Sequence, residues 1–538
     1  MSAEVLVVGS GASGVNAAFP LVEAGHRVTL VDFGNTDRTY APLIPHQPFT
    51  EVRQGDARQH RYFLGDQFEG VPFGKIRVGA QLTPPRMHIS ADTARWMPLD
   101  SNTFTPTESL AVGGLAAGWG AGAFPFDAHE LEGLPFTHAD LAPHYDTVAE
   151  RVGVSGDRDD LLPFLGDSQA MQPPLDIDSN AEAVLSRYQR KREKLNAAGF
   201  FMGKARLAVC SRPHRGRDGH AYRDMEFWAD TDRSVYRPQW TLEELKRFPN
   251  FRYLDRRFVL SFSERDGGGV SLLARHADTG ADERHDAHAL VLAAGTLGTA
   301  RIVLRSLGRY GERVPLVCNP YTYVPMVNLG MLGKAPRDRR HSLTQLEVVY
   351  HPKDGVGMHG QLYSYRSLLM FKLLKEAPLP LREGVQVMQL LMPLVNILGI
   401  HHEDSPGPGK SVALHRGADG APDRLEVRYE PAAEEERAQS DGERALLRHF
   451  LGLGCVPLKR IRPGHGSSIH YAGTFPMREG GGPLTVDGDC RLHGTRNVYL
   501  ADGSVFPKLP SKGLTFTMMA NADRVGTRLA RRLQGGHV

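Results

Sequence analysis

Residues 5–14 read VLVVGSGASG, and this stretch decides the fold. Its first four residues form a continuous apolar run, which is typical of a parallel strand covered on both faces. A glycine-rich turn follows at once, residues 15–24 have helical character, and residues 28–31 form a second apolar run. The order strand, turn, helix, strand predicts a βαβ unit, and with it an α/β fold.

The glycines of this turn have the spacing G-x-G-x-x-G, which by itself is a weak signal. Between a strand and a helix the same spacing is a stronger signal for a dinucleotide site, because each glycine then has a specific structural role. Gly9 permits the tight turn, Gly11 lets the backbone approach a pyrophosphate, and Gly14 lets helix and strand pack closely. The turn therefore predicts a dinucleotide site.

Two further features complete this site. The helix N-terminus, where Ala12 and Ser13 lie, offers unpaired N–H groups and a partial positive charge to phosphates. Asp32 stands at the end of the second strand, where its carboxylate can accept hydrogen bonds from both hydroxyls of an adenosine ribose. The turn alone does not distinguish FAD from NAD.

Length and composition restrict the class of protein. The chain has 538 residues, enough for two intertwined domains, and its net charge of +3 gives no support to nucleic-acid binding. The four cysteines are scattered, so they are interpreted as reduced thiols and not as a zinc site or a disulfide frame. No basic or apolar leader precedes the first strand, so a cytoplasmic protein is expected.

Three segments near the C-terminus, together with patches at 113–122 and 290–301, carry a family resemblance. They are residues 468–474 (SIHYAGT), 486–494 (VDGDCRLHG) and 497–507 (NVYLADGSVFP), the last followed by a helix that starts near residue 514. In this order they resemble the glucose–methanol–choline oxidoreductase family, whose members depend on FAD. Residues 311–455 match that family only vaguely.

The resemblance, together with strand-like segments from residue 314 to about 460, implies an α/β fold with an α+β second domain. It consists of a Rossmann-like FAD-binding domain and a discontinuous substrate-binding domain built on an antiparallel sheet. The FAD-binding domain is expected in residues 1–40, 100–130, 245–310 and 456–538. The substrate-binding domain and its covering loops are expected in residues 41–99, 131–244 and 311–455.

The resemblance also implies roles for individual residues. His470 takes the position of the family's catalytic histidine, beside the reactive nitrogen of the flavin. The helix that opens at Leu514 and Thr515 would stabilise negative charge on the reduced ring through its dipole. Further cofactor contacts are implied at three places. They are the strand end at Ala294 and Gly295, the adenine contact at Val259, and the return loop that contains Asp502 and Gly503.

The patch at 113–119 resembles the pyranose-oxidase branch of the family, which has two glycines and a tryptophan at this spacing. In some of these relatives the residue before the tryptophan is a histidine bonded covalently to the flavin. Here Gly118 precedes Trp119, so the resemblance implies non-covalent FAD. Gly114 and Gly120 would let the backbone lie flat against the isoalloxazine ring.

One departure from the family concerns a second catalytic side chain. Members carry an Asn or a His a few residues before the Leu-Thr that opens the last helix. This chain reads LPSKG at residues 509–513, so Ser511 or Lys512 takes that position. Lys512 could hydrogen-bond a developing alkoxide, or it could be a surface residue that leaves His470 without a partner. The departure keeps open a lyase or another flavin-bound enzyme without net redox turnover.

The expected reaction is hydride transfer from a CH–OH carbon to the flavin, with neutral His470 as general base. The substrate is expected to be a sugar, a glycoside or another small alcohol. The pyranose-oxidase-like patch favours a carbohydrate, whereas the Met- and Leu-rich residues 385–400 favour a lipophilic alcohol. The electron acceptor and the oligomeric state stay open. A non-catalytic flavin-binding protein is a third hypothesis, against which His470 argues.

Three other features have weaker interpretations. Residues 401–404 (HHED) hold metal-ligating residue types, but adjacent side chains diverge, so we expect a solvated loop or a pocket edge and no metal. His465 could line the same cavity as His470, although a loop role is the simpler expectation. Residues 385–400 are short for a bilayer span of roughly 20 residues. A buried strand or helix, a channel wall and a membrane-surface patch are the alternatives for them.

Overall fold

The computed structural model describes residues 3–70, 83–334, 341–353, 355–364, 380–418 and 421–535. The α-helices of this part of the chain are α1 Ala12–Glu23, α2 Phe49–Gly55, α3 Gln59–Leu64, α4 Thr93–Trp96, α5 His138–Val152, α6 Leu162–Leu165, α7 Ser179–Arg190, α8 Arg192–Ala197, α9 Pro238–Leu245, α10 Thr296–Ser306, α11 Leu381–Leu391, α12 Ala433–Gly452 and α13 Thr515–Leu533.

The strands are β1 Glu4–Val8, β2 Arg27–Val31, β3 Leu99–Asp100, β4 Phe200–Lys204, β5 Phe251–Leu254, β6 Arg257–Glu264, β7 Val270–His276, β8 Asp282–Ala287, β9 Ala289–Leu292, β10 Arg313–Pro315, β11 Val317–Cys318, β12 Tyr321–Asn328, β13 Leu346–Tyr350, β14 Met358–Ser364, β15 Val395–His402, β16 Lys410–His415, β17 Arg424–Tyr429, β18 Cys455–Pro457, β19 Tyr471–Ala472 and β20 Val498–Leu500.

The first large sheet is parallel and has the strand order β20-β9-β1-β2-β5. β1 lies between β9 and β2, and its residues 5–8 are all buried, as expected of a strand covered on both faces. The predicted order strand, turn, helix, strand is confirmed, and with it the α/β class. The helix begins at Ala12 and not at residue 15, because the turn is already complete at its N-cap residue, Gly11.

Close backbone contact fixes two helices on this sheet. A Cβ atom added to Gly14 would lie 1.8 Å from the carbonyl oxygen of Gly9, so α1 can pack on the turn only without a side chain there. On its other side α1 packs against α13, where a Cβ at Gly526 would lie 2.2 Å from the carbonyl oxygen of Ala17. Two glycines therefore set the separation between the turn, the first helix and the last helix.

The second large sheet has six strands in the order β18-β12-β15-β14-β13-β4, and its strands pair antiparallel. One face packs on α7 and α12 through Val184, Leu446 and Phe450, in a hydrophobic cluster of its own. The other face carries the alternate residues of β12, β15 and β14. The expected antiparallel sheet with covering helices is therefore present.

Two segments that the sequence analysis assigned to the second domain pack in the first hydrophobic core instead. β10, β16 and β17 form a sheet with β3, and Val412 and Leu425 of this sheet belong to the core of the parallel sheet. Leu141 and Val148 of α5 belong to the same core, and α5 packs against α13. The predicted boundaries differ from the packing because β3 and α13 take partners from distant parts of the chain.

The apolar stretch at 385–400 divides between two elements. Its first part lies in α11, and after a short 3₁₀ turn the remainder forms most of β15. Leu398 and Ile400 are buried in the second core, so a buried strand is the right interpretation for that part. Among the helices that the structure describes, none is long and apolar enough to cross a membrane. The four cysteines are buried free thiols.

Gly526→Ala is expected to destabilise the protein by about 1–3 kcal/mol, because the added methyl group forces α13 away from α1. Helix propensity alone predicts the opposite sign, since alanine is favoured over glycine by up to about 1 kcal/mol. The matched control is Gly452→Ala at the end of α12, where an added Cβ meets no atom within 4 Å. Denaturant midpoints measure both effects, and a Gly526→Ala protein as stable as the wild type would contradict the prediction.

Candidate functional site

A cavity of 620 Å³ lies between the carboxyl edge of the parallel sheet and one face of the six-stranded sheet. The turns that follow β1, β9 and β20 supply one wall, with Gly9, Ala294 and Asp502 among its residues. Side chains from β12, β14 and β15 supply the opposite wall. Ligands of α/β proteins bind at this edge of the sheet, so the cavity is the candidate site.

The glycine turn presents backbone to the cavity. Gly9 has a φ of +96°, and a Cβ there would lie 2.6 Å from the carbonyl oxygen of Ala293. Gly11 caps α1 without a side-chain acceptor, which leaves the first N–H groups of the helix open. The hydroxyl of Ser13 at the same helix end is buried and has no partner among the described residues. An anionic group fits here, because it would receive these donors.

Ser10 links three parts of this wall. Its hydroxyl donates to Oδ2 of Asp32 at 2.5 Å and accepts from the N–H of Gly113 at 3.0 Å. The same carboxylate oxygen accepts from the hydroxyl of Tyr253 at 2.9 Å. Burial raises the pKa of Asp32 above its ordinary value. Sequence reasoning missed Ser10, because its role depends on the contact between the turn and residue 113.

The turn after β20 is held by buried hydrogen bonds. Asp502 accepts from the hydroxyl of Thr299 at 2.5 Å and from the N–H of Ser504 at 3.0 Å. A Cβ at Gly503 would lie 2.5 Å from the carbonyl oxygen of Tyr471, so a side chain does not fit there. The N-terminus of α13 consequently lies at the cavity.

The structure brings most of the sequence-predicted site residues together. These residues line the cavity: Gly9, Gly11, Ala12, Ser13, Asp32, Gly114, Trp119, Gly120, Val259, Ala294, Gly295, His470, Asp502, Gly503, Leu514 and Thr515. Gly14 lies behind the turn, in contact with Gly9.

His470 is held in one orientation by Asn319, a residue that gave no sequence signal. The amide nitrogen of Asn319 donates to the carbonyl oxygens of His402 and Pro510, both at 2.7 Å. The amide oxygen therefore faces Nδ1 of His470, 3.2 Å away, and accepts the N–H of that nitrogen. Nε2 is consequently the unprotonated ring nitrogen. Burial lowers the pKa of His470 to about 4, so the ring is a neutral base at ordinary pH.

The backbone immediately before His470 is strained. Ile469 has a φ of +63°, a left-handed conformation that β-branched residues rarely adopt. Such a conformation costs of order 1–3 kcal/mol and persists where the surroundings over-determine it. The N–H of Ile469 donates to the carbonyl oxygen of Gly466, and the residue lines the cavity. Strain of this kind clusters at functional positions.

The opposite wall carries mostly polar and aromatic side chains. The sequence analysis named a channel wall among the alternatives for residues 385–400 and a pocket edge among those for residues 401–404, and it did not single out the other residues of this wall. The side chains of the wall occupy alternate positions on one face of β12, β14 and β15: Tyr321, Tyr323, Gln361, Tyr363, Ile397 and His401. His401 stacks on His470, with ring centroids 5.0 Å apart and an interplanar angle of 30°. The period-two spacing within each strand is visible in the sequence, but it does not say which face meets a cavity.

Lys512 does not face the cavity, which corrects the expectation that it could serve as a second catalytic side chain. It is 1% exposed, and its ammonium donates to Asp127 at 3.2 Å and to Glu130 at 2.6 Å. The carbonyl oxygens of Pro125 and Phe164 complete its environment. A buried ammonium with two carboxylate partners is a structural element.

Ser511, the alternative for that position, is buried and does not line the cavity either. The residue of this segment that lies beside His470 is Gly513. A Cβ there would be 3.2 Å from Cε1 and 3.4 Å from Nε2 of the imidazole. Residues 511–513 therefore place no side chain in the space beside His470.

Residues 401–404 are not the solvated loop that one expectation described. His401 and His402 end β15 and point to opposite faces, His401 to the cavity and His402 to Glu443, at 3.2 Å. Asp404 is buried and accepts from Lys410 at 2.6 Å. Within the described ranges no group of His, Cys, Asp and Glu is arranged to hold a metal ion.

His465 also lies outside the cavity lining. Its ring packs against Tyr429, with centroids 4.9 Å apart. The loop role is therefore the right interpretation for this histidine.

Comparison with known proteins adds sequence relatives. A family model described as GMC oxidoreductase matches residues 419–522. The chain is 25% identical over 561 residues to paromamine 6'-oxidase from Streptomyces fradiae, an alignment that covers 99% of this chain and 92% of that protein. It is 26% identical over 569 residues to 6'''-hydroxyparomomycin C oxidase from Streptomyces lividus, covering 98% and 92%.

Solved structures share the fold. Pyridoxine 4-oxidase from Mesorbium loti is similar over 100% of both chains, with a TM-score of 0.57 and 14% identity. A fungal aryl-alcohol oxidase is similar over 99% of both chains, with a TM-score of 0.55 and 14% identity. At this level of identity the likeness concerns the fold alone.

Three buried histidines in and beside the cavity are expected to make the protein sensitive to acid. Burial lowers the pKa of His470 to about 4, that of His359 to about 3 and that of His401 well below its ordinary value. Below pH 6.5 the unfolded chain binds a proton at each of them, whereas the folded chain does not. The contribution of the three neutral histidines to the free energy of unfolding is therefore fully present above that pH, and it decreases as the pH falls toward 4.

The expected slope is about 1.4 kcal/mol per pH unit for each such histidine. His359→Phe should reduce the loss of stability between about pH 6.5 and 5, because it removes one of the three groups. Neither ring nitrogen of His359 has a partner in the described residues, so the variant breaks no hydrogen bond there. Urea midpoints at both pH values measure the slope, with the exposed His60→Phe as control. An unchanged slope in His359→Phe would contradict the prediction.

Proposed function

The chain belongs to the glucose–methanol–choline oxidoreductase family, and we propose that it binds FAD non-covalently and oxidises a CH–OH group of a small alcohol. The observation that carries the proposal is the unprotonated Nε2 of His470 in the wall of a cavity that also contains an open helix N-terminus. The anion site would bind the phosphates of a nucleotide cofactor, and the base would take the hydroxyl proton of an alcohol. The presence of both in one cavity suits a reaction between this cofactor and the alcohol.

The residues at the first wall suit FAD. The open N–H groups of α1 and the unpartnered hydroxyl of Ser13 would receive the pyrophosphate. Asp32 would accept hydrogen bonds from the adenosine ribose, and Val259 would lie at the adenine. The dipole of α13 would stabilise negative charge on the reduced flavin. Gly118 has no side chain that could bond covalently to the ring.

When bound, the flavin supplies the electrophile that accepts a hydride. The chain supplies the base, because Asn319 keeps the proton of His470 on Nδ1 and leaves Nε2 to take the hydroxyl proton. After proton uptake the Nδ1–H donor belongs to an imidazolium, which strengthens its hydrogen bond to the amide oxygen. The amide clamp and the strained Ile469 hold the ring in place before the substrate arrives.

A sugar or glycoside suits the opposite wall. The tyrosine, glutamine and histidine side chains there can hydrogen-bond several hydroxyls, and aromatic rings can cover the apolar face of a sugar ring. Of the described residues in the stretch 385–400, Ile397 lines the cavity, which gives little support to a lipophilic alcohol. The two relatives described above carry names that denote oxidation of paromamine or of hydroxyparomomycin C, which supports a glycoside.

The purified protein is expected to be yellow and to release its FAD completely on denaturation, because no side chain at Gly118 can bond to the ring. The measurement is the visible absorbance of supernatant and pellet after acid precipitation. Colour that stays with the pellet would refute non-covalent binding. A colourless protein that takes up no added FAD would refute the cofactor assignment.

His470→Ala is expected to retain FAD and to slow anaerobic flavin reduction about 10²- to 10⁴-fold, because the general base is lost. The assay is anaerobic bleaching by paromamine, other glycosides and benzyl alcohol, which removes any dependence on the electron acceptor. His465→Ala, five residues away and outside the cavity, is the control. A His470→Ala protein with the wild-type rate would refute the role of this residue. Product formation without bleaching in the wild type would refute net oxidation and favour a lyase.

A further inference from the structure

The space beside His470 is bounded by the substrate-side sheet and not by the segment before α13. Residues 511–513 place no side chain there, since Gly513 lies against the imidazole and Lys512 is bound to Asp127 and Glu130. The ring that does lie beside His470 belongs to His401, at the end of β15.

The position of His401 is fixed by its surroundings. In register it lies opposite Tyr321 of β12 on one side and His359 of β14 on the other. Its ring is held between that of Tyr321, at 4.5 Å between centroids, and that of His470, at 5.0 Å. The next residue of the strand, His402, is anchored on the opposite face by Glu443. A ring packed on two sides keeps its orientation without a hydrogen bond.

Nδ1 of His401 is not used by the described part of the protein. The residue is 6% exposed and lines the cavity, and its Nδ1 is buried without a partner among the described residues. Because the residue lines the cavity and Nδ1 is buried, we expect Nε2 to face the cavity. The tautomer that carries its proton on Nε2 avoids burying an unpaired N–H donor. Burial also keeps this imidazole neutral, so its N–H is a hydrogen-bond donor and not a proton source.

We propose that His401 is the second catalytic residue of this chain and that its N–H donates a hydrogen bond to the oxygen of the substrate carbinol. The proposal rests on the proposed function. In the oxidation the O–H bond breaks and its proton goes to Nε2 of His470. The C–H bond breaks with its electron pair, which leaves as hydride to the bound flavin, and a C=O bond forms. His401 transfers nothing in this step, and its N–H stabilises the negative charge that develops on the oxygen.

The test compares His401→Phe with His401→Gln. Phenylalanine keeps the ring stack and removes the donor, whereas glutamine restores an N–H at a similar reach. His401→Phe is expected to lower the rate of anaerobic flavin reduction about 10²- to 10³-fold, the cost of one missing donor to a developing oxyanion. His401→Gln should recover at least about tenfold of that loss. FAD content and the denaturant midpoint should match the wild type in both variants.

The matched control is His359→Phe, the same substitution at the register neighbour, which does not line the cavity. It should reduce its flavin at the wild-type rate. The substrates are paromamine, other glycosides and benzyl alcohol, each at a concentration that saturates the wild type. Added imidazole should accelerate His401→Ala, because a free N–H donor can enter the vacated space.

Three outcomes would overturn the inference. A His401→Phe protein that bleaches at the wild-type rate shows that the donor is not needed. Equal losses in His401→Phe, His401→Gln and His359→Phe, without rescue by imidazole, show that the residue acts only through packing. A wild type that none of these alcohols bleaches shows that the proposed function itself is wrong, and the inference then fails with it.

Discussion

Backbone contact without intervening side chains is the constraint on which the rest of this structure depends. The carbonyl oxygen of Gly9 occupies the place where a Cβ of Gly14 would be, and that of Ala17 occupies the place of a Cβ at Gly526. These two contacts hold the turn, α1 and α13 at a single separation. Since the cavity lies at the ends of both helices, the same contacts decide the distance between the anion-binding end of α1 and the N-terminus of α13.

The surroundings of His470 are organised by a different principle, in which buried polar groups fix one another's orientation. The amide of Asn319 has no freedom to flip, because two carbonyl oxygens accept from its nitrogen. The fixed orientation of this amide determines the tautomer of His470. The tautomer in turn determines which ring nitrogen is the base. His401 has no such partner and is held by the stacking of rings. One imidazole is thus fixed by hydrogen bonds, the other by packing, and they meet at the same cavity.

The part of the site that could be predicted from the sequence is the part in which neighbours in space are neighbours in the chain. The strand, turn and helix at residues 5–24 and the position of Asp32 follow from apolar runs and glycine spacing, and His470 follows from a motif in the resemblance. Asn319 could not be found this way, and for His401 the sequence left a solvated loop and a pocket edge open as alternatives. Asn319 is 151 residues from His470 along the chain and contacts it only in the folded structure. His401 takes its place through strand register, which no local pattern specifies.

The expectation that Lys512 could act at the site was wrong for the same physical reason, because its contacts are made by residues distant in sequence. By sequence it stands one residue from the glycine beside His470, and the sequence left open both a catalytic role and a surface position for it. Asp127 and Glu130, from a loop far earlier in the chain, pair with its ammonium and direct it away from the cavity. β3 and α13 likewise pack with strands and helices that are remote in sequence.

The packing of α13 on α1 also orders events during synthesis. The buried face of α1 is covered by α13, and residues 24–514 separate the two helices in the chain. Until translation has passed residue 533, α1 exposes apolar surface to the cell, and the turn in front of it has only part of its support. The first core can therefore form completely only after the whole segment from α1 to α13 has been synthesised.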